Sequence, residues 1–250
     1  MKTYQGKISV IVPAYNEGSH IYDSLSETIE TLDKLARDYE IVVVDDGSTD
    51  NTHAEAARAS VNLDHIKIVR HEPNHGKGEA LRYGFRFVSG DLVAFLDADL
   101  DLHPHQLQTL YEYLQDNDAD VVIGSKRHPR SIVDYPPNRR LMSNIYYILV
   151  KTLFGLPVRD TQTGIKMFKI EVLKRVFPRI VVKRYAFDLE MLVNAHRLGY
   201  KIIEAPITLD FRRDFGRIKY RDARDIWIDT MAIFYRTYIL RYYDKEHKEE

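Results

Sequence analysis

Ile41-Val42-Val43-Val44-Asp45-Asp46-Gly47-Ser48-Thr49-Asp50 is the stretch on which the fold turns. Four consecutive β-branched residues read as a strand buried on both faces, as in parallel sheets covered by helices. The acids, glycine and hydroxyl residues that follow end it in a polar turn. The same alternation recurs on either side. Ile8–Val12 reads as a strand ended by Pro13, and Ile21–Leu35 places Ile21, Leu25, Ile29 and Leu32 at helical spacing. Downstream, Ala-rich Thr52–Ser60 predicts a helix capped by Asp50 or Asn51. Strand Ile66–Val69, helix Gly78–Val88, strand Leu92–Leu96, helix Pro104–Gln115 and strand Val121–Gly124 follow. The βαβα series predicts an α/β fold: a mostly parallel sheet with helices on both faces.

Beyond Gly124 the pattern loosens. Ser125–Asn138 is rich in charge and proline and reads as a loop. Arg140–Phe154 and Phe187–Leu198 read as helices, and Gly164–Phe168 as a strand. Ile202–Leu209 contains Pro206 and reads as a strand near an edge. Arg212–Arg221 is a basic loop, and Asp222–Tyr243 a long aromatic helix. The expectation is one domain over residues 1–221, followed by a C-terminal helical extension and polar tail over 222–250.

At 250 residues the chain can bury a core without staples. The absence of cysteine excludes disulfides and Cys-based zinc or redox chemistry, and suits a reducing compartment. With 36 basic and 37 acidic residues the net charge is −1, which argues against nucleic acid as a partner of the whole molecule. The chain reaches the Ile8 strand too soon for a secretory signal. No stretch approaches the roughly 20 apolar residues of a membrane span. Leu141–Leu156 is interrupted by Lys151, and Ile226–Tyr243 by Asp229, Arg236 and Arg241. The expected protein is soluble or peripheral, cytoplasmic, and on the inner face of a membrane if it meets one.

Polar signals collect where the parallel strands are expected to end, the edge at which open α/β sheets bind ligands. Asp97 and Asp99 stand at i and i+2 of an extended segment and share a face, with Asp101 close behind. Paired carboxylates repel, and a divalent cation removes that cost. Hard oxygen ligands suit Mg2+ or Mn2+ and leave positions open for a pyrophosphate. The same acids would equally serve as helix caps or as a solvated edge.

Four motifs together resemble family 2 glycosyltransferases of the GT-A fold, a Rossmann-like class. They are Val12-Pro13-Ala14-Tyr15-Asn16-Glu17, Asp45-Asp46-Gly47-Ser48-Thr49-Asp50, Asn74-His75-Gly76-Lys77-Gly78 and Asp97-Ala98-Asp99. The resemblance implies a metal-dependent transferase using a nucleotide-sugar donor. Residues 1–124 would form its nucleotide-binding part and 125–221 its acceptor part. It implies donor contacts from Pro13, Ala14, Tyr15, Glu17, Asp45, Asp46, Lys77, Asp97, Ala98 and Asp99, with Asp46 near the base. It also implies a metal held by Asp97, Asp99 and Asp101, bridging the donor diphosphate. Such a cation stabilises charge on the leaving group.

The second half is similar to the dolichyl-phosphate glucose and mannose synthase branch through Gly124-Ser125-Lys126-Arg127, the helix start at Arg140, Asp160-Thr161-Gln162-Thr163-Gly164, and Arg213, Gly216 and Lys219. The implied acceptor is a polyprenyl or dolichyl phosphate, held by Arg127, Arg140, Arg213 and Lys219. Arginine forks suit phosphate capture. Asp101 stands where mannose synthases tend to have glutamine, Ile218 where the branch usually has serine, and C-terminal membrane spans common in relatives are lacking here. UDP-glucose is the favoured donor because Lys77 looks more like the glucose branch, with GDP-mannose as the alternative. A lipid phosphate is already anionic and needs no strong base, whereas a saccharide hydroxyl does. Asp160, beside Thr163-Gly164, is the first candidate for catalysis or acceptor positioning. Asp188 is the second, although Asp188 and Glu190 could instead complement a helix N-terminus. The terminal helix carries Trp227, Phe234, Tyr235, Tyr238, Tyr242 and Tyr243 among arginines, the make-up of a helix at a membrane surface or packed on its own domain or on a second subunit.

Two other enzyme classes stay open. One is a family 2 transferase acting on a saccharide hydroxyl. The other is a nucleotidyltransferase, which would need a Gly-rich basic loop where Ala14-Tyr15-Asn16-Glu17 stands. A non-enzymatic binding module would leave Asp97 and Asp99 without a shared purpose.

Overall fold

The computed structural model describes residues 3–133, 137–183, 186–209 and 220–245, with side chains described outside 137–141 and 220–223. Strands β1 (Tyr4–Ala14), β2 (Ala36–Asp45), β3 (Ile66–Arg70), β4 (Leu92–Phe95) and β5 (Val121–Ser125) alternate with helices α1 (Ile21–Leu35), α2 (Thr52–Ala59), α3 (Lys77–Phe85) and α4 (Gln106–Asp116). Then come β6 (Ile132–Val133), α5 (Pro137–Phe154), β7 (Lys166–Lys169), α6 (Ile170–Val176), α7 (Phe187–Arg197), β8 (Ile202–Pro206), β9 (Thr208–Leu209) and α8 (Tyr220–Phe234).

The main sheet runs β3-β2-β1-β4-β7-β5-β8, and β6 pairs with β9 beside it. Strand β1 is parallel to both β2 and β4, so the connections wind outward from it in opposite directions. A crevice is expected at such a reversal, outside the carboxyl ends of the strands. Strand β7 alone runs antiparallel to its neighbours, between β4 and β5. Its amino end therefore meets the carboxyl ends of β4 and β5, and loop 160–165 reaches the crevice.

The β-branched runs are explained by two cores, one on each face of the sheet. Val42 and Val44 face a cluster with Ile11, Phe95, Phe168, Leu189 and Leu192. Ile41 and Val43 face the other, with Ile8, Val10, Val12, Leu25 and Leu110. Alternation along each strand feeds both layers.

The expected strands and helices are found, with differences at the second half. Helix α6 lies where none was expected, and β6 forms inside the predicted 125–138 loop. The strand over 202–209 is two strands parted at Ile207. The single helix expected to Tyr243 ends at Phe234 and gives way to a π turn at Tyr235–Ile239. Arg241 then adopts a left-handed conformation (φ 46°), and a 3-10 turn follows at Tyr242–Asp244. That reversal returns Tyr243 to the interior, where it and Ile233 join the first core. Among the described residues, no helix is long and apolar enough to cross a membrane.

Candidate active site

The ends of β1 and β2 are knitted together by their own polar residues. The Asp46 amide donates to the Ala14 carbonyl (2.9 Å). Asn16 N donates to Ser48 Oγ (3.0 Å), Thr49 N to Asn16 Oδ1 (2.9 Å), and Glu17 N to Thr52 Oγ1 (2.7 Å). Asn16 holds a left-handed conformation (φ 57°), which asparagine tolerates better than most residues. Tyr15 is left exposed beside this turn. Asp45 accepts from Ser48 N (2.9 Å) and lies 3.4 Å from His53 Nδ1. Asn51 holds the N-cap position of α2 without a side-chain hydrogen bond, and Asp50 just before it accepts from the Thr52 amide at 3.0 Å.

Asp46 is buried and faces the loop that precedes α3. Its carboxylate accepts from Asn74 Nδ2 (2.9 Å), Gly76 N (2.8 Å) and His75 N (3.2 Å), and lies 3.2 Å from His71 Nδ1. His71 is itself stacked between Tyr83 (4.6 Å) and His75 (4.5 Å). A carboxylate with this many donors organises a loop. Asp46, which the resemblance implies near the base, also fixes the turn from which Lys77 departs.

Lys77 opens α3, and its Nζ lies 2.5 Å from Asp97 Oδ1. Asp97, Asp99, Asp101, Lys126, Gln162, Thr163 and Gly164 line a cleft of about 180 Å³ with Leu102, Ile207 and Leu209. Burial pushes the Asp97 carboxyl up, but Lys77, with Lys166 and Lys126 behind it, holds it below the usual aspartate value. Burial likewise pulls Lys77 down, and Asp97, Asp188 and Asp99 more than restore it. Both groups are therefore ionised at neutral pH. Gly164 packs its backbone against Asp97: a Cβ there would lie 1.8 Å from Asp97 Oδ2. Leu100, between the second and third acids, is left-handed (φ 61°), and the Asp101 amide donates to Asp99 Oδ1 at 3.2 Å. A leucine held there stores strain, a recurrent feature of functional sites.

The opposite wall carries a cation. Lys126 Nζ lies 3.3 Å from Asp160 Oδ2. Asp160 is buried and also accepts from Lys126 N (3.0 Å), Thr163 Oγ1 (2.7 Å) and Gln162 N (3.1 Å). Burial pushes its carboxyl up, yet Lys126 and these donors hold it below the ordinary range. So satisfied a carboxylate is a weak base. Glu204 on β8 fixes the loop from below by accepting from Arg159 N (2.7 Å) and Asp160 N (3.0 Å).

Arg127 turns away from the cleft lining: its guanidinium donates to Ser143 Oγ on α5 (2.9 Å) and lies over the Tyr147 ring (5.1 Å). Arg140 starts α5, but its side chain lies outside the described residues, as do Arg213 and Lys219 altogether. Asp188 sits beneath the cleft, accepting from Lys166 Nζ at 2.7 Å. Lys166 is 1 % exposed, also donates to the Thr163 carbonyl, and shapes the Thr163-Gly164 turn. Sequence reading passed over Lys166, although a lone lysine in the apolar run Ile165–Phe168 is itself a signal of a buried partner.

The donor set suits a hard divalent cation. Asp97 and Asp99 offer only oxygen, and Gly164 leaves room where a side chain would crowd Asp97. No group of three carboxylate or imidazole ligands capable of holding an ion alone occurs among the described residues. One or two carboxylates completed by substrate phosphates is the usual arrangement for Mg2+.

Comparisons with known proteins agree with this geometry. The family model for Glycosyl transferase family 2 matches residues 9–177. Glycosyltransferase AglD of Haloferax volcanii is 31% identical over 210 residues, 83% of this chain but 34% of its own length. A dolichyl-phosphate beta-glucosyltransferase of Dictyostelium discoideum is 29% identical, covering 88% of this chain and 76% of the relative. Another, from Trichomonas vaginalis, is 31% identical, covering 96% and 77%. The chain thus spans about a third of AglD and three quarters of these two glucosyltransferases. In fold it is similar to glucosyl-3-phosphoglycerate synthase of Mycobacterium tuberculosis, solved with Mn2+, UDP-glucose and phosphoglyceric acid: TM-score 0.72 at 22% identity, over 92% of this chain and 80% of that one. The matched residues carry the β1 and β2 turns, the Lys77 loop, the three acids and the Lys126–Asp160 wall, and the chain belongs to glycosyl transferase family 2.

Proposed function

We propose that this chain is an inverting, metal-dependent hexosyltransferase that moves glucose from UDP-glucose to a polyprenyl or dolichyl phosphate. One observation carries the reading: a cleft with carboxylates on the donor side and an ammonium, not a free base, on the acceptor side. Relatives named dolichyl-phosphate beta-glucosyltransferase point the same way.

The turns after β1 and β2 would hold the nucleotide, and Asp97 and Asp99 would hold Mg2+ or Mn2+ against the diphosphate. The cation would stabilise the negative charge gathering on the leaving diphosphate. Lys77 anchors Asp97 and adds positive charge beside those phosphates. Lys126 steers the acceptor phosphate, with Arg140, Arg213 and Lys219 as further cations of that side. An oxygen of this phosphate bonds to the anomeric carbon as the bond to the departing UDP breaks and its electron pair leaves with UDP. The acceptor is already an anion, so no proton must be removed. A saccharide hydroxyl would require a base, and Asp160 is committed to Lys126, Thr163 and two backbone amides.

A lipid acceptor is matched by the outer surface. Met142, Ile145 and Ile148 form an exposed apolar stripe on α5, and Trp227, Ile228, Tyr235 and Tyr238 are exposed on and just after α8. The two helices touch: Phe154 meets the Phe234 ring of α8 at 6.4 Å. An interfacial helix has this make-up, and we infer peripheral contact with a membrane. The test is a panel of radiolabelled UDP-glucose and GDP-mannose with a short polyprenyl phosphate, extracted into organic solvent. Glucose label in the organic phase supports the reading. Label transferred only to a water-soluble saccharide overturns it.

A further inference from the structure

The buried carboxylate of Glu190 lies on α7, outside the cleft. It accepts from Val181 N (2.9 Å) and Val182 N (2.7 Å) with one oxygen. The other receives Arg236 Nη1 (3.2 Å) and the Tyr243 hydroxyl. Arg236 belongs to the π turn, and Tyr243 to the 3-10 turn that Arg241 folds back. The C-terminal segment thus closes over α7 and grips the chain just before it. A second contact does the same: Asp229 on α8 accepts from the amide of Ala186, at the start of α7. Arg197 at the far end of α7 pairs with Asp244.

The gripped chain backs the donor side. A Cβ on Gly78 would lie 2.5 Å from the Phe187 ring and 2.8 Å from the Lys183 carbonyl, so the first turn of α3 rests directly on Lys183 and Phe187. Lys77, one residue earlier, is the partner of Asp97. Every link from Tyr243 and Arg236 through Glu190, Val182, Lys183 and Gly78 to Lys77 is a direct contact or a chain neighbour.

We propose that the segment from Asp229 to Asp244 is a strap that positions Lys77, with Glu190, Arg236, Tyr243 and Asp229 as positioning residues for the donor site. That Lys77 serves the donor rests on the function proposed above; that the strap sets the start of α3 does not. Asp46 holds the turn on the N-terminal side of Lys77, and on the other side Gly78 has no side chain of its own, so the surface of Lys183 and Phe187 beneath it sets how the first turn of α3 seats. Glu190 holds that surface by two amides that no strand or helix partner satisfies. It keeps its orientation because Arg236 and Tyr243 occupy its other oxygen. The strap also carries Tyr235 and Tyr238 of the exposed face inferred to meet the membrane and follows directly on Trp227 and Ile228, so seating that face and ordering Lys77 become one event.

The test uses two variants of the full chain: Tyr243→Phe, which takes the hydroxyl away from Glu190 and Arg236, and Asp229→Ala, which removes the acceptor of the Ala186 amide. Hydrogen–deuterium exchange in the free protein should show amides 181–182 and 186 losing protection. It should also show those of the first turns of α3, including Ala80, which donates to the Gly76 carbonyl, exchanging at least fivefold faster. Amides of α2 serve as the unaffected control. In parallel, the Kd for UDP with Mn2+ should rise at least fivefold in both variants. Loss of protection confined to 181–190 and the C-terminal segment, with α3 and UDP affinity unchanged, would overturn the proposal. If α3 responds but the wild-type protein binds no UDP, the strap stands and the donor reading falls. Should Tyr243→Phe lower the melting temperature too far for comparison, Asp229→Ala alone decides the matter.

Discussion

Replacing Gly164 by alanine tests the geometry of the cleft with a single methyl group. Its φ lies outside the left-handed region, so alanine meets no backbone penalty, and the whole effect must come from contact with Asp97. The new Cβ would sit 1.8 Å from Asp97 Oδ2, where separations under 3.0 Å are essentially never seen. The carboxylate must therefore retreat by about 1.2 Å, or the Thr163-Gly164 turn must lift by as much. The turn is pinned by Lys166, so Asp97 is the softer side. Moving it stretches the 2.5 Å contact with Lys77 and shifts the carboxylate proposed to hold the cation. A 1 Å misplacement in a preorganised site costs on the order of 100-fold in rate, about 2.7 kcal/mol of transition-state stabilisation. The expected result is a kcat/KM for glucosyl transfer lower by about that factor, with weaker Mn2+-dependent UDP binding and a melting temperature within a few degrees of wild type. Full activity of Gly164→Ala, with unchanged UDP affinity, would refute the placement of Asp97 against this turn as a functional constraint.

Asp99→Asn should lower turnover by roughly 100- to 1000-fold, by analogy with removing one charge-stabilising donor. Excess chelator should abolish wild-type activity until Mg2+ or Mn2+ is restored; turnover persisting in chelator would count against the metal. Asp46→Asn should destabilise the protein by about 2 kcal/mol, because one charged acceptor serves several buried donors; calorimetry checks this, and an unchanged melting temperature would contradict the loop-holding role. Lys126→Met should impair transfer to polyprenyl phosphate while sparing UDP affinity; the reverse pattern would move Lys126 to the donor side. Asp160 has its pKa held below the usual 3.8, so its contribution is present above that value and is lost as pH falls through the lower folded-state pKa. Asp160→Asn should therefore cost on the order of 2 kcal/mol at neutral pH, with the gap from wild type closing below pH 3.8 in urea titrations. A gap that widens in acid would reverse the assignment.

The first half was legible because its signals are local. Four β-branched residues before Asp45 announce a doubly covered strand, and β2 and β4 both run into acids. The direction of β7 was hidden, since an apolar run looks the same whichever way it is paired. Asp97, Asp99 and Asp101 could be grouped from spacing alone. What spacing could not supply was the partner of each charge, which depends on contacts between distant segments. Lys126 and Arg127 are neighbours in sequence, yet one lines the cleft and the other donates to Ser143 on α5. Asp188 reads as a free acid at a helix start until the chain brings Lys166 beside it. Glu190 and Arg236 lie 46 residues apart and give no periodic signal.

The reversed strand β7 has a consequence for how the chain is made. Strand β4 pairs on one side with β1, already synthesised, and on the other only with residues 166–169. Until that segment leaves the ribosome, β4 presents an open edge of unpaired amides and carbonyls, and β5 has no neighbour on either side. Exposed edges of this kind invite pairing with other chains. A truncated product ending near Gly124 would hold the whole nucleotide half and still lack the strand that joins β4 to β5. Such a fragment should aggregate rather than bind nucleotide, and the nascent chain should need shielding over the 70 or so residues that separate β4 from its partner.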